Sequence, residues 1–241
     1  MQTASPKRAL SPERLTQQAI SSHIETIDTM LRDYRRDRKR LLVSSSFQTH
    51  SIPLLHIISQ LTPDTPVAFL ETGYHFAETI SFRDEVAELL DLDLVIVRGN
   101  EQPPSSGLYV TSETSCCAVN KVEPLHELLE DFDIWVSGVR ADQTSTRSGF
   151  SETMPGPVDT ERYHPMLYWT TDNIETYRAM FDLPSHPLDA LGYRSIGCAP
   201  CTTAPLQSSV SAASATTTIV ETDRSGRWSS SSKTECGLHL P

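Results

Sequence analysis

The sequence predicts an α/β fold, a mostly parallel sheet with helices on both faces, followed by a flexible C-terminal arm. Three observations lead there. Short apolar runs alternate with stretches of helical period between residues 41 and 136, which is the pattern of βαβ units. The 38% apolar and 21% charged residues are ordinary for a globular protein, and 241 residues are enough for one sizeable core. From about Pro205 the alternation stops, and Ser, Ala and Thr dominate.

The elements follow in order. Ile20, Ile24, Ile27, Leu31 and Tyr34 recur at helical spacing, with Ser11 and Pro12 suited to a cap and first turn, so residues 1–40 read as an N-terminal helical region. Its basic end, residues 35–40, reads as a solvated helix face. Residues 41–204 form the α/β unit. Apolar runs at 41–43, 67–70, 94–97 and 134–136 are its strands, and residues 51–59, 78–90 and 122–129 are its helices. Ligands of such sheets sit at the carboxyl ends of the strands, where the polar segments 44–51 and 71–75 fall. Residues 207–218 and the serine run 229–232 have linker composition, so 205–241 reads as a flexible arm, although it ends in Glu235, Cys236, Gly237, Leu238, His239, which does not resemble a linker.

Bulk chemistry narrows the function. The longest apolar run, 52–58, is broken by Pro53 and His56 and is far below the roughly 20 residues of a spanning helix. With no apolar stretch of a secretory signal at the start, the expected compartment is the cytoplasm, where the five cysteines serve as metal ligands or reactive thiols. A formal net charge of −11 argues against a general nucleic-acid binder. An anionic small substrate then requires basic residues to be gathered locally, and Lys121, Arg140, Arg147, Arg224, Arg227 and Lys233 are the candidates.

Four cysteines form two close pairs, Cys116 with Cys117 and Cys198 with Cys201. A Cys-x-x-Cys turn directs two thiolates at one centre, and a second pair completes a four-sulfur set for zinc or for an iron-sulfur cluster. Adjacent cysteines are unusual for zinc and suit the larger body of a cluster. The competing readings are a redox dithiol or buried structural thiols. Cys236 is the thiol left over, with Lys233 and His239 near it in sequence as groups that can stabilise a thiolate; a terminal cysteine can equally be incidental. Ser44, Ser45, Ser46 and Ser51 lie between a strand and a helix start, where hydroxyls and free amides suit phosphate or sulfate, although an ordinary capped loop has the same composition.

Several motifs carry a family resemblance. Residues 69–76 (FLETGYHF) with Glu78, Thr79, Phe82, Arg83 and Asp84 resemble the signature of the adenylyl sulfate and phosphoadenylyl sulfate reductases. So do Cys116-Cys117 with Lys121, residues 135–140 (WVSGVR) with Asp142, Gln143 and Arg147, residues 195–202 (SIGCAPCT), Gly226-Arg227-Trp228 and the closing residues 235–239 (ECGLH). The resemblance runs in order from about Leu41 to His239. It implies the adenine-nucleotide hydrolase-like sheet, and a [4Fe-4S] cluster on Cys116, Cys117, Cys198 and Cys201. It makes Cys236 the nucleophile that takes the sulfonate from the nucleotide, with Lys121 and His239 assisting. Ser44, Ser45, Ser46, Ser51, Thr72, Gly73, Arg140, Arg147 and Arg227 are implied as substrate-binding.

The resemblance also implies the activity: reduction of adenylyl sulfate to sulfite and AMP in assimilatory sulfate reduction, through an S-sulfocysteine freed by a separate reduced thioredoxin or glutaredoxin. A homo-oligomer is expected, with neither a nucleic-acid nor a membrane partner. Four departures stand out: Gln48 in place of a frequent glycine, and Asn120, Ala141 and Thr203 in place of arginines. Alternatives are the same reaction on phosphoadenylyl sulfate and a non-redox nucleotide-binding module with structural zinc. An ATP-dependent adenylating enzyme is a further one, against which the missing glycine-rich loop argues.

Overall fold

The computed structural model describes residues 12–99, 112–203 and 237–239. Helix α1 (Pro12–Arg36) leads to strand β1 (Leu41–Ser44). A short 3-10 turn, Thr49–Ser51, opens helix α2 (Ile52–Leu61), followed by β2 (Val67–Glu71), α3 (Ala77–Leu89) and β3 (Leu94–Arg98). Helix α4 (Glu113–Cys117) passes through a π-helical turn, Ala118–Val122, into α5 (Glu123–Leu129) and then β4 (Ile134–Ser137). Two short strands, β5 (Thr153–Pro155) and β6 (Glu161–Tyr163), and helix α6 (Thr171–Met180) complete the main body.

The six strands form one sheet in the order β3-β2-β1-β4-β6-β5. Every pairing is parallel except β5 with β6. The mostly parallel sheet expected from the sequence is therefore present, with β5, β6 and α6 added. These three elements escape the sequence pattern for local reasons. The two strands are three residues each and partly polar, too short to show a period. Helix α6 is marked by a capping box in which Thr170 and Asn173 exchange hydrogen bonds, rather than by an apolar stripe.

The strand period of two divides the core. Leu41, Val43, Val67, Phe69, Ile134 and Val136 face helices α1, α2, α3 and α6 in the larger cluster. Leu42, Ala68 and Trp135 face the other way, onto Leu125 and Leu129 of α5. Burial on both faces explains why these strands read as continuous apolar runs. Helix α1 is integral to this packing: Ile20, Ile27 and Leu31 lie in the same cluster as β1 and β2. The basic stretch after it meets acids at the surface, Arg35 with Asp64 at 3.1 Å and Arg40 with Asp133 at 3.4 Å. Exposed pairs of this kind contribute about 0–1 kcal/mol. Among the described residues no helix is long and apolar enough to cross a membrane.

One buried histidine ties the loop after α6 to helix α3. The His186 Nδ1 accepts the Leu188 N–H at 3.2 Å, and its Nε2 lies 3.0 Å from the Thr79 hydroxyl, so the neutral ring carries its proton on Nε2. Burial pushes the ring down to about 4, against a smaller opposing pull from Glu78. An unfolded histidine protonates near pH 6.5. Between those values the unfolded chain binds the extra proton, so stability rises with pH across that window and is lost as acid is added. Urea unfolding at a series of pH values should show stability falling from about pH 6.5 toward 4. That slope should flatten in His186→Asn; an unchanged slope in the variant would place the acid sensitivity elsewhere.

Candidate active site

A cleft opens at the carboxyl ends of β1, β2 and β4, bounded by Ser44, Leu70 and Ser137. One wall is the loop after β1. Its entry is pinned by the Ser45 N–H, which donates to the Ala68 carbonyl at 3.0 Å and so continues the β1–β2 ladder. Phe47 then takes a left-handed backbone conformation, φ 53°, which costs roughly 1–2 kcal/mol for a residue with a Cβ. Complete burial of its ring, edge-on to Phe69 at 5.7 Å, offsets that cost. The turn reverses the chain and brings the Ser46 and Ser51 hydroxyls within 3.2 Å of each other at the start of α2.

Gln48 gives this loop a second anchor. Its Nε2 donates to the Ser46 hydroxyl at 3.2 Å, and its Oε1 accepts the Ile196 N–H at 2.7 Å. The glutamine at this departure position thus joins the serine loop to the segment entering the second cysteine pair. Ser44 has one lone pair engaged by the Trp135 indole N–H at 2.8 Å and keeps its own proton for another acceptor.

Cations enter the cleft from two other elements. Lys121 stands in the π turn, where the Glu123 N–H reaches back to the Ala118 carbonyl five residues earlier. The extra residue in that turn rotates the helix face, so Cys117 points inward while Lys121 lines the cleft. Arg147 follows β4 in a short 3-10 turn; its guanidinium is buried, hydrogen-bonds the Gln143 side-chain carbonyl and lines the same cleft. His75 and Gln143 are further lining residues. Both fall inside the family motifs of the sequence, which do not mark them as site residues.

The two cysteine pairs meet. Cys117 packs with Cys201 and with Leu238 of the final turn, Gly237–His239. The second pair is held on the end of β2: His75 and Cys198 form an antiparallel bridge, and the Ala199 N–H donates to the Tyr74 carbonyl at 2.7 Å. The Thr72 hydroxyl lies 3.2 Å from Cys198 Sγ, and the Asn120 amide lies 3.6 Å from Cys116 Sγ. Among the described residues no three His, Cys, Asp or Glu side chains are close enough to grip one ion. Four thiols in two pairs that meet at Cys117 and Cys201, with the Asn120 amide donating to the Cys116 sulfur and the Thr72 hydroxyl beside that of Cys198, nevertheless match the donor chemistry of an iron-sulfur cluster, whose ligands surround a larger body.

The other expected substrate residues are placed differently. Thr72 does not line the cleft, since its hydroxyl faces Cys198. Gly73 makes the turn after β2 with φ 74°, a conformation that favours glycine. Arg140 is 1% exposed, bonded to Asp142 at 3.0 Å and to Thr171 at 3.2 Å, and lines a separate pocket beyond Thr49 and His50. Ala141 donates its N–H to the Leu167 carbonyl at 2.8 Å and Thr203 is exposed. Cys236, Arg224, Arg227 and Lys233 lie outside the described residues, as does the side chain of His239. Leu238, two positions after Cys236, lines the same cleft as the serine loop.

Glu71 fixes the end of β2 beside these groups. It accepts from Arg83 at 2.7 Å and from Arg98 at 2.8 Å. Burial works against its carboxylate, but the hydrogen bonds from Arg83 and Arg98 hold it below the usual range. Arg83 also lies 4.9 Å from the centre of the Phe69 ring, so the ring that supports Phe47 is itself capped by a cation.

Known proteins share this fold. A solved phosphoadenylyl-sulfate reductase from Candida auris, in a phosphate complex, superposes with a TM-score of 0.63 at 19% identity, over 81% of this chain and 98% of that one. At that identity the likeness concerns the fold. The adenosine 5'-phosphosulfate reductase of Chelativorans sp. (strain BNC1) is 37% identical over 217 residues, 86% of this chain and 81% of the relative. That of Mesorhizobium japonicum is 34% identical over 231 residues, 92% of this chain and 85% of the relative. Residues 40–204 match the model of the phosphoadenosine phosphosulfate reductase domain, and with these relatives spanning most of its length the chain belongs to that family.

Proposed function

We propose that the chain reduces adenylyl sulfate to sulfite and AMP in sulfate assimilation. The observation that carries this is the convergence on one cleft of the Ser44–Ser46 loop, Lys121, Arg147 and Leu238, which follows Cys236 by two residues. Its relatives named adenosine 5'-phosphosulfate reductase support the same substrate. The start of α2, with the amides of a helix N-terminus and the hydroxyls of Ser46 and Ser51, suits the nucleotide phosphate. Lys121 and Arg147 supply positive charge at the sulfate oxygens, where a chain of net charge −11 would otherwise repel the substrate.

The Cys236 thiolate attacks the sulfate sulfur, and the bond from sulfur to the bridging phosphate oxygen breaks. The electron pair leaves with AMP, and the sulfonate remains on Cys236 as an S-sulfocysteine. A thiolate of a reduced thioredoxin or glutaredoxin attacks Cys236 Sγ and sulfite departs; the second thiol of that partner resolves the mixed disulfide. The dithiol supplies both electrons. Cys116, Cys117, Cys198 and Cys201 would hold a [4Fe-4S] cluster, which would supply fixed charge beside the cleft. Throughout, Lys121 orients the sulfate and Gln143 holds the Arg147 guanidinium in place.

Incubating the purified protein with sulfur-labelled adenylyl sulfate and no thiol donor should leave covalent label on the chain. Cys236→Ser should carry none while keeping its iron; label persisting in that variant would overturn the assigned nucleophile. In single-turnover kinetics, Lys121→Met should slow label transfer about 10²–10³-fold, as loss of one preorganised donor at developing charge does. AMP affinity in that variant should change much less, and an equal loss in both would make Lys121 a general binding residue.

A further inference from the structure

We infer that Asn120 is a positioning residue of the metal centre, holding the Cys116 sulfur through a neutral amide hydrogen bond and thereby tuning the cluster. This rests on the cluster reading above. Asn120 is 2% exposed and stands in the π turn. Its Nδ2 lies 3.1 Å from the Cys116 carbonyl oxygen and 3.6 Å from Cys116 Sγ. An amide nitrogen has two hydrogens, and each has an acceptor here. Turning the amide over would aim its oxygen at those same two acceptors, so the hydrogen-bonding pattern itself selects the orientation.

The geometry is built rather than incidental. Gly99, the residue after β3, approaches the π turn so closely that a Cβ on it would fall 2.7 Å from Asn120 Cα and 2.8 Å from Asn120 Oδ1. The backbone just past the edge strand therefore crowds the side chain. Among the described residues Asn120 Oδ1 is buried with no hydrogen-bond partner, an unfavourable arrangement for a buried carbonyl. A Ser or Asn that merely bonds back to its own helix in a solvated position incurs no such desolvation. The amide here is kept in a dry place, with its donors directed at the ligand residue.

The consequence concerns the electronics of the centre. Polar hydrogens on ligand sulfurs stabilise negative charge on a thiolate-held cluster and raise its reduction potential. A neutral amide does so without adding a cation. Asn120 and Lys121 are neighbours on a helical turn, so their side chains diverge: one serves the sulfur, the other the cleft.

The test is a redox titration of the iron-loaded protein with parallel iron analysis. Asn120→Leu, close in volume and without a donor, should lower the ratio of reduced to oxidised centre about tenfold at a fixed ambient potential, about 59 mV for a one-electron couple. Asn120→Asp should shift it further in the same direction. Gly99→Ala, which intrudes on the amide, should shift it in that direction with residue 120 unchanged. Full iron with an unchanged potential in Asn120→Leu would overturn the assignment of Asn120 while leaving the cluster reading intact. If Asn120→Leu does not retain iron, an unchanged potential in Asn120→Asp overturns it instead. A wild-type protein that binds no iron would remove the cluster reading and this inference with it.

Discussion

The end of β2 is the constraint on which the rest depends. Within five residues it must end a buried strand, turn at Gly73, and hold the Cys198 segment by the His75 bridge and the Tyr74 carbonyl. Glu71, gripped by Arg83 and Arg98, stops that strand end from fraying. Because His75 faces the cleft while Thr72 faces Cys198, the same short segment forms a wall of both the substrate cleft and the cysteine set. A displacement there would move both together, and neither can be repositioned independently.

Between helix α4 and α5 the π turn supplies Lys121 to the same cleft, and its irregularity has a purpose in geometry. A regular helix through residues 113–129 would keep residues three and four apart on one face. With one extra residue in the turn, Cys116, Cys117, Asn120 and Lys121 present their groups to two neighbouring sites without a break in the chain. The cost of an irregular turn is met by burial: Leu125 and Leu129 anchor α5 against Trp135, Leu42 and Ala68 immediately after it. The rigid sheet thus sets the position of the turn, and the turn sets the relation of the cation to the thiols.

The central sheet was legible in the sequence because its strands are buried on both faces, and such burial demands continuous apolar runs like those at 41–43 and 134–136. The site was legible where chemistry is concentrated in rare residues. Paired cysteines announce themselves, and the structure brings Cys117 and Cys201 together although 84 residues separate them in sequence. Hydroxyls and arginines were harder to read, because residue type does not reveal direction. Thr72 and Arg140 lie in motifs beside the cleft, yet one turns to a sulfur and the other, itself buried, bonds the exposed Asp142 and Thr171. Strands β5 and β6 were invisible for lack of length, and α1 showed its apolar face without showing that it closes the main core.

The departures at Gln48 and Asn120 share a physical logic. Each is a neutral amide in a nearly dry place, and each joins two segments: Gln48 links the serine loop to Ile196, and Asn120 links the π turn to Cys116. A primary amide offers two donors and an acceptor without a charge that must be compensated, so it can brace a wall without altering the field inside the cleft. Among the described residues the permanently charged side chains lining that cleft are Lys121 and Arg147. With the surrounding chain strongly acidic, the field an anion meets on entering is set by where those two are held. The neutral braces preserve that focus: Gln48 ties the serine loop to Ile196 and Asn120 ties the π turn to Cys116, while contributing almost nothing to the charge the substrate meets.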